Sequence, residues 1–437
     1  MRREEIVMVC CCDIAGQVRG KGMPAAELEA RRQRGVGWTP TNIMITAFND
    51  IAPGPWGAFG DLVLLPDLAT HLRVDFGDDG PPEQFVLGDI RHLDGRPWEC
   101  CPRDFLRRGL TALADEFGLS LKAAFEHELH YDRVEERPNA GYALDAYRRQ
   151  GAFGEVFFHA MRQAGLEPDT FMAEYGPAQY EVTIGHQDGL GAADQAVILR
   201  EMARASAHRL GGRASFTPIL RPEAVGNGVH VHFSLWAGDD QPVMHAADGP
   251  GEIGPRAGAF AAGILAKLPA ILALTAASPI SYLRLTPNRW SASYDNLGLN
   301  DREAAVRICP VFETMGVARE RQFHLEFRAA DAAASPYMLL GAIVWSGLWG
   351  LRGDLPTPTP TTEDPSQMAE DRLAELGLQR LPLSLTAALD NLAGDDDIKA
   401  WLGPQFHEVY LGHKRFEIGL TAHLNDAARC ERYRWVY

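Results

Sequence analysis

Hydrophobic and polar residues alternate along the segment GNGVHVHFSLW, residues 226–236. Successive side chains of a β-strand point to opposite faces, so His230, His232 and Ser234 would share one face. The other face would be wholly apolar, formed by Val229, Val231, Phe233 and Leu235. The pattern therefore predicts a strand that is buried on one side and carries a row of polar groups on the other.

Four further segments alternate in the same way and place charged groups on one face of a predicted strand. They carry Glu126 and Glu128 within residues 120–134, Glu181 within 177–185, Arg307 within 304–310, and Glu326 and Arg328 within 323–331. One such strand alone is typical of an antiparallel sheet with a solvent-exposed face. Several such strands in one domain favour a sheet whose polar faces together line a cavity.

Helical spacing marks the border between a β-rich first part and a mixed second part. Leu106, Leu110, Leu113 and Phe117 recur at helical spacing, after short strands bounded by Gly, Pro and Asp. Further helices are predicted at residues 194–211, 336–353 and 401–420, and strands at 214–220 and 227–236. We therefore predict an α+β protein with two domains, residues 1–102 and residues 103–437.

Composition and net charge argue against nucleic acids and membranes as binding partners. The chain has 437 residues, of which 46% are hydrophobic and 23% charged, as in ordinary soluble globular proteins. A formal net charge of −16 repels nucleic acids and anionic membranes, so neither is an expected partner. The most apolar stretch, residues 258–277, is interrupted by Lys267 and Pro269 and predicts a buried helix rather than a membrane span.

The seven cysteines indicate a reducing compartment. Cys10, Cys11 and Cys12 are adjacent, as are Cys100 and Cys101, and neither group has the C-x-x-C spacing of a zinc site. An odd number of clustered cysteines does not suggest a disulfide framework. Reduced, buried cysteines in a cytoplasmic protein are the expectation.

Glutamates crowded onto a buried face repel one another and need a counter-charge. The candidate ligands are mostly oxygen donors with one imidazole: Glu126, Glu128, Glu174, Glu181, His230 and Glu326. Such a set suits Mg²⁺ or Mn²⁺ better than zinc or copper. Candidate partners for anionic substrates are Arg284, Arg302, Arg307 and Arg328.

Divalent metals and arginines around one cavity are typical of enzymes that transfer phosphoryl groups. The chain has no Walker A motif and no G-x-G-x-x-G after a strand, so neither a P-loop nor a Rossmann turn would hold a nucleotide. The H-x-H pair also begins amidohydrolase metal sites, but there it lies on the first barrel strand, whereas here it lies in the middle of the chain.

An ordered set of motifs resembles the glutamine synthetase family along nearly the whole chain. The motifs are EHELHYD, EYGPAQYE, GNGVHVHFSL, SYLRLTP, NDREAAVRICP, FHLEFRAADAAASPY, LSLTAALDNLAGDDD and YLGHKRFE, and the second has the spacing of the branch that includes γ-glutamyl-polyamine synthetases. The resemblance implies a β-grasp-like N-terminal domain and a catalytic domain with a curved antiparallel sheet flanked by helices. It also implies a ring homo-oligomer, expected to be a dodecamer of two hexamers.

The resemblance further implies a role for each aligned residue. One metal ion would be bound by Glu128, Glu174 and Glu181, and a second, on the ATP phosphates, by Glu126, His230 and Glu326. Arg284 would bind the glutamate α-carboxylate, and Arg328 the γ-carboxylate and the transferred phosphoryl group. Arg302 and Arg307 would hold nucleotide phosphates, His232 and Ser234 would point toward ATP, and Gly226 would meet glutamate through its backbone.

Two segments depart from the family pattern. In the segment RLTPNRWSAS, Trp290 aligns with the glutamate that takes a proton from ammonium, so we expect a pocket for an amine larger than ammonia. The alternative is that a nearby acid such as Asp295 takes over that role. Asp50 in AFNDIAPGPWG aligns with the aspartate that reaches the neighbouring subunit's ammonium site, although the surrounding motif differs.

The expected activity is an ATP-dependent ligase that joins the γ-carboxylate of glutamate to an amine through a γ-glutamyl phosphate. Glutamine synthetase proper, using ammonium, is the first alternative. A relative that senses nitrogen compounds without catalysis is the second alternative. An acid substrate other than glutamate also remains open, because Arg284 indicates only a carboxylate or a similar anion.

Overall fold

A computed structural model describes residues 3–138, 140–238 and 240–437. The N-terminal part forms a six-stranded mixed sheet in the order β2-β1-β6-β4-β3, with β5 paired to β6. Its elements are β1 (Ile6–Cys12), β2 (Val18–Pro24), α1 (Leu28–Arg31), β3 (Val36–Trp38), β4 (Leu62–Pro66), β5 (Leu72–Val74) and β6 (Glu83–Arg91). The central pair β1 and β6 is parallel, and its neighbours are antiparallel.

The second part is built on a ten-stranded sheet in the order β14-β15-β16-β12-β7-β9-β8, with β10 and β11 paired to β7 and β13 to β12. Its strands are β7 (Leu119–Tyr131), β8 (Pro168–Ala173), β9 (Gln179–Ile184), β10 (Gln187–Asp188), β11 (Ala214–Ser215), β12 (Val229–Ala237), β13 (Gln241–Pro242), β14 (Leu297–Leu299), β15 (Val306–Ile308) and β16 (Leu325–Phe327). Only β14 and β15 pair in parallel among these described strands.

Helices cover the apolar side of this sheet and form the C-terminal region. They are α2 (Pro102–Phe117), α3 (Leu144–Arg149), α4 (Phe153–Gln163), α5 (Gly189–Arg209), α6 (Pro255–Thr275), α7 (Ser281–Arg284), α8 (Arg319–Gln322), α9 (Pro336–Arg352), α10 (Glu370–Leu376), α11 (Leu385–Gly394), α12 (Asp396–Leu402), α13 (Pro404–Thr421) and α14 (Asp426–Tyr433). Helix α6 is long and apolar enough to cross a membrane, but 72% of its apolar window is buried inside the protein, as in a core helix.

The α+β fold predicted from the sequence is confirmed, and most predicted elements are present. The strand predicted at 214–220 is wrong beyond Ala214–Ser215. There Phe216 donates its backbone N–H to the carbonyl of Tyr437, and Pro218 accepts from the backbone of Asn227, so these groups bond outside the sheet. The helix predicted at 401–420 is two helices, because Gly403 adopts a positive φ of 81° between them. All seven cysteines are free and buried, as expected.

The register of the large sheet aligns its polar residues in one row. Glu181 on β9 lies opposite Glu128 on β7, and Glu126 on β7 lies opposite His230 on β12. Further along the row, Glu326 on β16 lies between His232 on β12 and Arg307 on β15. Val231 and Phe327, which point the other way, are buried in the core beneath. The strand pairing therefore gathers on one surface the charged residues that alternation had placed on separate strands.

Candidate active site

The row of polar residues contains two groups that could each hold a metal ion. Glu126, Glu181 and His230 offer ligand atoms that all lie within 4.8 Å of one another, and so do Glu126, His232 and Glu326. His230 Nδ1 lies 2.8 Å from Glu126 Oε1 and 3.7 Å from Glu326 Oε1. Glu126 is thus shared, and the groupings differ from the two sets of three that the resemblance implied.

Glu128 and Glu174 lie at the border of this cluster. Glu128 Oε2 accepts hydrogen bonds from the backbone N–H of Gly228 and from Gln179 Nε2, both at 3.1 Å. Glu174 is buried and accepts from the backbone N–H of Tyr175. All six predicted metal ligands therefore belong to one site, although Glu128 and Glu174 fall outside the tightest groups.

The carboxylates of the cluster differ in the direction in which their pKa values are shifted. Burial, and then repulsion by Glu174, raise the pKa of Glu128 to about 7, while burial together with Glu126 raises the pKa of Glu181 strongly. Burial would also raise the pKa of Glu326, but Arg328 and the two histidines outweigh it and lower that pKa to about 2. The Glu128–Glu181 end thus favours a bound proton or cation, whereas charge is balanced at the Glu326 end.

The donor set fits a hard divalent cation. Carboxylate oxygens with one or two imidazole nitrogens, converging within one cluster, are ligands typical of Mg²⁺ or Mn²⁺ sites. A cation there would offset the mutual repulsion that raises the pKa values of Glu128 and Glu181. The residues present therefore suit the metal that the sequence predicts.

Three of the four predicted arginines are buried around the cluster. Arg307 pairs with Glu326 at 2.9 Å, and Arg328 pairs with the other oxygen of the same carboxylate. Arg284 donates to Ser291 Oγ at 3.0 Å and to the Ala330 carbonyl. Arg302 is exposed, and its charge acts on Glu174 and Tyr142, which puts it at the rim of the same site.

The glycine segment before β12 packs closely on the arginine predicted to bind glutamate. A Cβ at Gly226 would lie 2.4 Å from Arg284 Cγ and 2.8 Å from the carbonyl oxygen of Pro218, so no side chain fits there. The Gly226 carbonyl accepts a hydrogen bond from Gln179 Nε2 at 2.9 Å. The backbone therefore lies close to Arg284 at Gly226, and the contact of Gly226 with glutamate stays a prediction.

Sequence reasoning missed Gln179, which links three parts of the site. Its Nε2 lies within hydrogen-bond distance of Glu128 Oε2, the Gly226 carbonyl and Asn227 Oδ1, at 3.1, 2.9 and 2.8 Å. The side chain is buried. Its position two residues before Glu181 on β9, on the same face, is the signal that could have indicated it.

Trp290 lies in a loop that a second missed residue holds in place. The second missed residue is Glu303. The backbone N–H of Trp290 donates to Glu303 Oε1 at 2.7 Å, and the backbone N–H of Asn288 donates to Glu303 Oε2 at 2.9 Å. Both residues have positive φ, a strained backbone conformation that the carboxylate stabilises. The Trp290 carbonyl accepts from Arg328, so the loop contacts the cluster directly.

The Trp290 side chain belongs to a group of exposed aromatic rings at the rim. It is 54% exposed, and its ring centroid lies 5.5 Å from that of Tyr175, the residue after Glu174. Tyr175 in turn contacts Tyr142 edge-on at 5.7 Å. We call Tyr142, Tyr175 and Trp290 the aromatic rim. The side chain of Asp295, the alternative acid, accepts a hydrogen bond from the backbone N–H of Gln379.

His232 and Ser234 border a cavity of about 260 Å³ beside the cluster. Ser234 Oγ accepts a hydrogen bond from Trp236 Nε1 at 2.8 Å. The His232 ring lies between the cluster carboxylates, Cys309 and His324. Burial would raise the pKa of Cys309, but hydrogen bonds with the two histidines outweigh it and lower that pKa, unlike those of the other six cysteines.

Asp50 is not among the residues that the structure gathers at the cluster. It lies in an exposed loop that is closed by a hydrogen bond from the Thr46 backbone N–H to the Asp50 carbonyl. Within that loop, Ala47 donates its backbone N–H to Glu417 of α13 at 3.2 Å. The role implied for Asp50 concerns a neighbouring subunit and stays a prediction.

Comparisons with known proteins agree with this geometry. Residues 1–98 match the family model "Glutamine synthetase N-terminal domain", and residues 99–433 match "Glutamine synthetase, catalytic domain". The gamma-glutamylpolyamine synthetase GlnA3 of Streptomyces coelicolor is 34% identical, over 99% of this chain and 93% of that protein. The glutamine synthetase of Pyrococcus horikoshii is 29% identical, over 95% and 90%.

Among solved structures, one described as a novel glutamine synthase homolog is 40% identical, with a TM-score of 0.92 over 100% of this chain and 99% of that one. The similarity extends over both the N-terminal sheet and the sheet that carries the polar row. The chain therefore belongs to the glutamine synthetase family and is an ATP-dependent carbon–nitrogen ligase.

Proposed function

We propose that the protein joins the γ-carboxylate of glutamate to a primary amine larger than ammonia. A carboxylate oxygen attacks the γ-phosphorus of ATP, ADP leaves, and a γ-glutamyl phosphate forms. The amine nitrogen then attacks the acyl carbon, phosphate leaves, and the nitrogen loses a proton. The product is a γ-glutamyl amide.

In this proposal some residues in and around the row of polar residues bind glutamate, and others bind ATP. Arg284 binds the α-carboxylate of glutamate, while Arg328 contacts the γ-carboxylate and the phosphoryl group. Arg302, Arg307, His232 and Ser234 serve the nucleotide. Mg²⁺ or Mn²⁺ held by the glutamates and His230 would neutralise charge on the transferring group.

The aromatic rim is the observation that carries the choice of amine. An indole in place of a proton-accepting carboxylate cannot attract ammonium, whereas aromatic faces bind alkyl groups and cations. The rim also adjoins Glu174 and Glu181, where burial and neighbouring carboxylates favour a bound proton or cation. We therefore propose an amine that carries a second positive charge, such as a diamine or polyamine. The 34% identity to a gamma-glutamylpolyamine synthetase supports this class.

Phosphate release from ATP tests the proposal directly. With Mg²⁺ and glutamate, the assay compares ammonium, alkylamines, hydroxyalkylamines, arylamines, diamines and polyamines. We expect release with diamines and polyamines and little with ammonium. Best release with ammonium would make the protein a glutamine synthetase proper. No release with any amine would favour another acid substrate or a sensing role.

A substitution in the aromatic rim tests whether the rim determines which amine the protein uses. Trp290→Glu should improve use of ammonium and weaken use of the larger amine. Trp435→Glu is the matched control, since Trp435 is also an exposed tryptophan but stacks on Arg213 and Arg434 near the C-terminus. Unchanged preference in Trp290→Glu would contradict the proposed pocket.

The assembly and compartment are further proposals. Family members place the active site between subunits, and we propose a homo-oligomeric ring, a dodecamer of two hexamers, in which Asp50 reaches the neighbouring site. The seven free cysteines support a cytoplasmic location. The division into an N-terminal domain of residues 1–102 and a catalytic domain of residues 103–437 also remains our proposal.

A further inference from the structure

Three soft ligand atoms converge beside the nucleotide end of the polar row. Cys309 follows β15, His324 precedes β16, and His232 lies in β12 between them and the carboxylates. His232 Nδ1 lies 3.1 Å from His324 Nε2 and 3.7 Å from Cys309 Sγ. The ligand atoms of all three lie within 4.8 Å of one another. This group, here called the thiol–imidazole group, was not predicted from the sequence.

A hydrogen bond orients the His324 imidazole, and carboxylates face the outer nitrogen of the His232 imidazole. His324 Nδ1 lies 2.6 Å from the Gln322 carbonyl, which can only accept, so Nδ1 carries the proton and Nε2 presents a lone pair. His232 Nε2 faces Glu126 Oε2 at 3.6 Å and Glu326 Oε1 at 3.9 Å, which favours a proton on Nε2. A bound cation would take the place of the proton that lies between His232 Nδ1 and His324 Nε2. A carbonyl or carboxylate behind each imidazole is the arrangement that supports histidine ligands of metals.

The spacing of the group suits a tetrahedral ion. With bonds of about 2.0 Å to nitrogen and about 2.3 Å to sulfur, tetrahedral geometry separates two nitrogens by about 3.3 Å and nitrogen from sulfur by about 3.5 Å. The observed separations are 3.1 and 3.7 Å. The cavity of about 260 Å³ that His232 and His324 line leaves room for a fourth ligand from solvent.

We propose that Cys309 Sγ, His232 Nδ1 and His324 Nε2 form a site for a soft tetrahedral cation, with Zn²⁺ as the ion of best fit. Thiolate and imidazole ligands select zinc over magnesium, so this site is distinct in chemistry from the carboxylate cluster. Binding releases to solvent the thiol proton and the proton held between the two imidazoles. Occupancy withdraws His232 from nucleotide, so zinc competes with ADP; this second statement rests on the proposed function, whereas the site itself does not.

Zinc binding to the intact protein in excess Mg²⁺ tests the site. Magnesium saturates the carboxylate cluster, and calorimetric titration with Zn²⁺ then measures the remaining affinity. Cys309→Ala and His324→Gln should each weaken zinc binding more than about 100-fold, beyond the 10–100-fold effect of losing an orienting residue. Cys430→Ala, another buried free thiol, and His186→Gln, at the same cavity, should leave it unchanged.

Unchanged zinc affinity in both ligand variants would overturn the site. His324 is only partly buried, so His324→Gln should stay folded even if Cys309→Ala does not, and the test does not depend on one variant. Zinc binding requires no turnover, so a protein inactive with every amine could still show the site.

Cobalt substitution identifies the ligands by spectroscopy. Co²⁺ bound at the group should show thiolate-to-metal charge-transfer absorption, lost in Cys309→Ala and kept in Cys430→Ala. Binding without that absorption would place the ion among the carboxylates and contradict the proposal. Titration of zinc at increasing ADP should lower its apparent affinity, and an affinity independent of ADP would overturn the competition.

Discussion

Gln179 joins a metal-ligand candidate to the glycine segment through a single amide group. Its Nε2 faces Glu128, the Gly226 carbonyl and Asn227, and its Oε1 accepts from the Gly176 backbone N–H at 2.8 Å. A buried amide with so many partners fixes the carboxylate that it contacts. The orientation of Glu128 therefore depends on a residue that is not itself a predicted metal ligand.

Replacing Gln179 should weaken metal binding without removing a ligand. We expect Gln179→Ala to lower the affinity for Mn²⁺ about 10–100-fold, because Glu128 loses its orienting partner. Titration of the purified protein with Mn²⁺ measures this. Gln367→Ala, in an exposed segment, is the control. Equal Mn²⁺ affinity in the two variants would show that Gln179 has no positioning role.

Glu303 holds the Trp290 loop, so its loss should act on the amine alone. In Glu303→Ala the backbone N–H groups of Asn288 and Trp290 lose their acceptor, and their positive φ values lose support. We expect the KM for amine to rise about tenfold, equivalent to about 1.4 kcal/mol, with the KM for ATP unchanged.

Steady-state kinetics with amine and ATP varied in turn would measure this split. Glu313→Ala, an exposed glutamate, serves as the control. A parallel rise in both KM values would indicate general damage to the site instead.

Alternation along strands was enough to find the charged residues of the sheet but not their supports. Glu126, Glu181, His230 and Glu326 all lie on strands, where a period of two separates polar from apolar faces. Glu303, Tyr142 and His324 lie outside strands and helices, where no period applies. Their positions depend on tertiary contacts, which local pattern does not encode.

At the scale of the element, strand register creates the site. Glu181 opposite Glu128, and His230 opposite Glu126, are cross-strand pairs between β9, β7 and β12. A shift by one residue would turn every one of these side chains into the core. The sequence predicted the strands but not their order, because pairing joins β12 to β7 and β16, which are remote in sequence. The strand prediction for residues 214–220 was wrong for the same reason, since the hydrogen-bond partners of this segment include the distant Tyr437.

The pH dependence of stability should reflect the crowded carboxylates on β7 and β9. Folding raises the pKa of Glu128 from 4.5 to about 7, so the folded state holds its proton more tightly than the unfolded state. Stability from this group is present below pH 4.5 and is lost as pH rises through about 7. The loss is at most about 3 kcal/mol.

Thermal melting of metal-free protein between pH 5 and pH 8 measures the effect. The melting temperature should fall with rising pH, and Glu128→Gln should flatten the dependence, whereas Glu313→Gln should not. Saturating Mg²⁺ should restore stability at pH 8. A melting temperature of the metal-free protein that rises over this range would contradict the assigned charge state.

At the scale of the whole molecule, the N-terminal domain exposes several large apolar side chains. Ile6, Met8, Ile51, Phe59 and Leu93 are exposed, and Phe59 reaches 82%. Exposed apolar side chains that form a contiguous patch mark a surface that contacts another protein, and we expect these residues to belong to one such surface. Asp50 lies next to Ile51, so a contact between copies on this surface would bring Asp50 to a second chain.

Disrupting that surface should dissociate the proposed ring and lower activity together. We expect Phe59→Asp to sediment as smaller species and to lose at least about tenfold in turnover, because a buried unpaired charge is costly. Sedimentation velocity and phosphate release measure the two effects. Val317→Asp, an exposed apolar residue of the second domain, should change neither. Full activity in a dissociated Phe59→Asp protein would contradict an active site shared between subunits.

The ion pair between Arg328 and Glu326 has a kinetic consequence. Each partner is assigned to a different ligand, yet in the structure they bind each other, and Arg307 shares the same carboxylate. In the proposed function a divalent cation would bind Glu326 and so free Arg328 to meet a substrate carboxylate. Divalent cation and nucleotide should then add before glutamate, in a compulsory order, and glutamate alone should bind poorly. Arg328, the arginine proposed to contact the phosphoryl group, would in this way become available only when the nucleotide is in place, which limits unproductive encounters with a common metabolite.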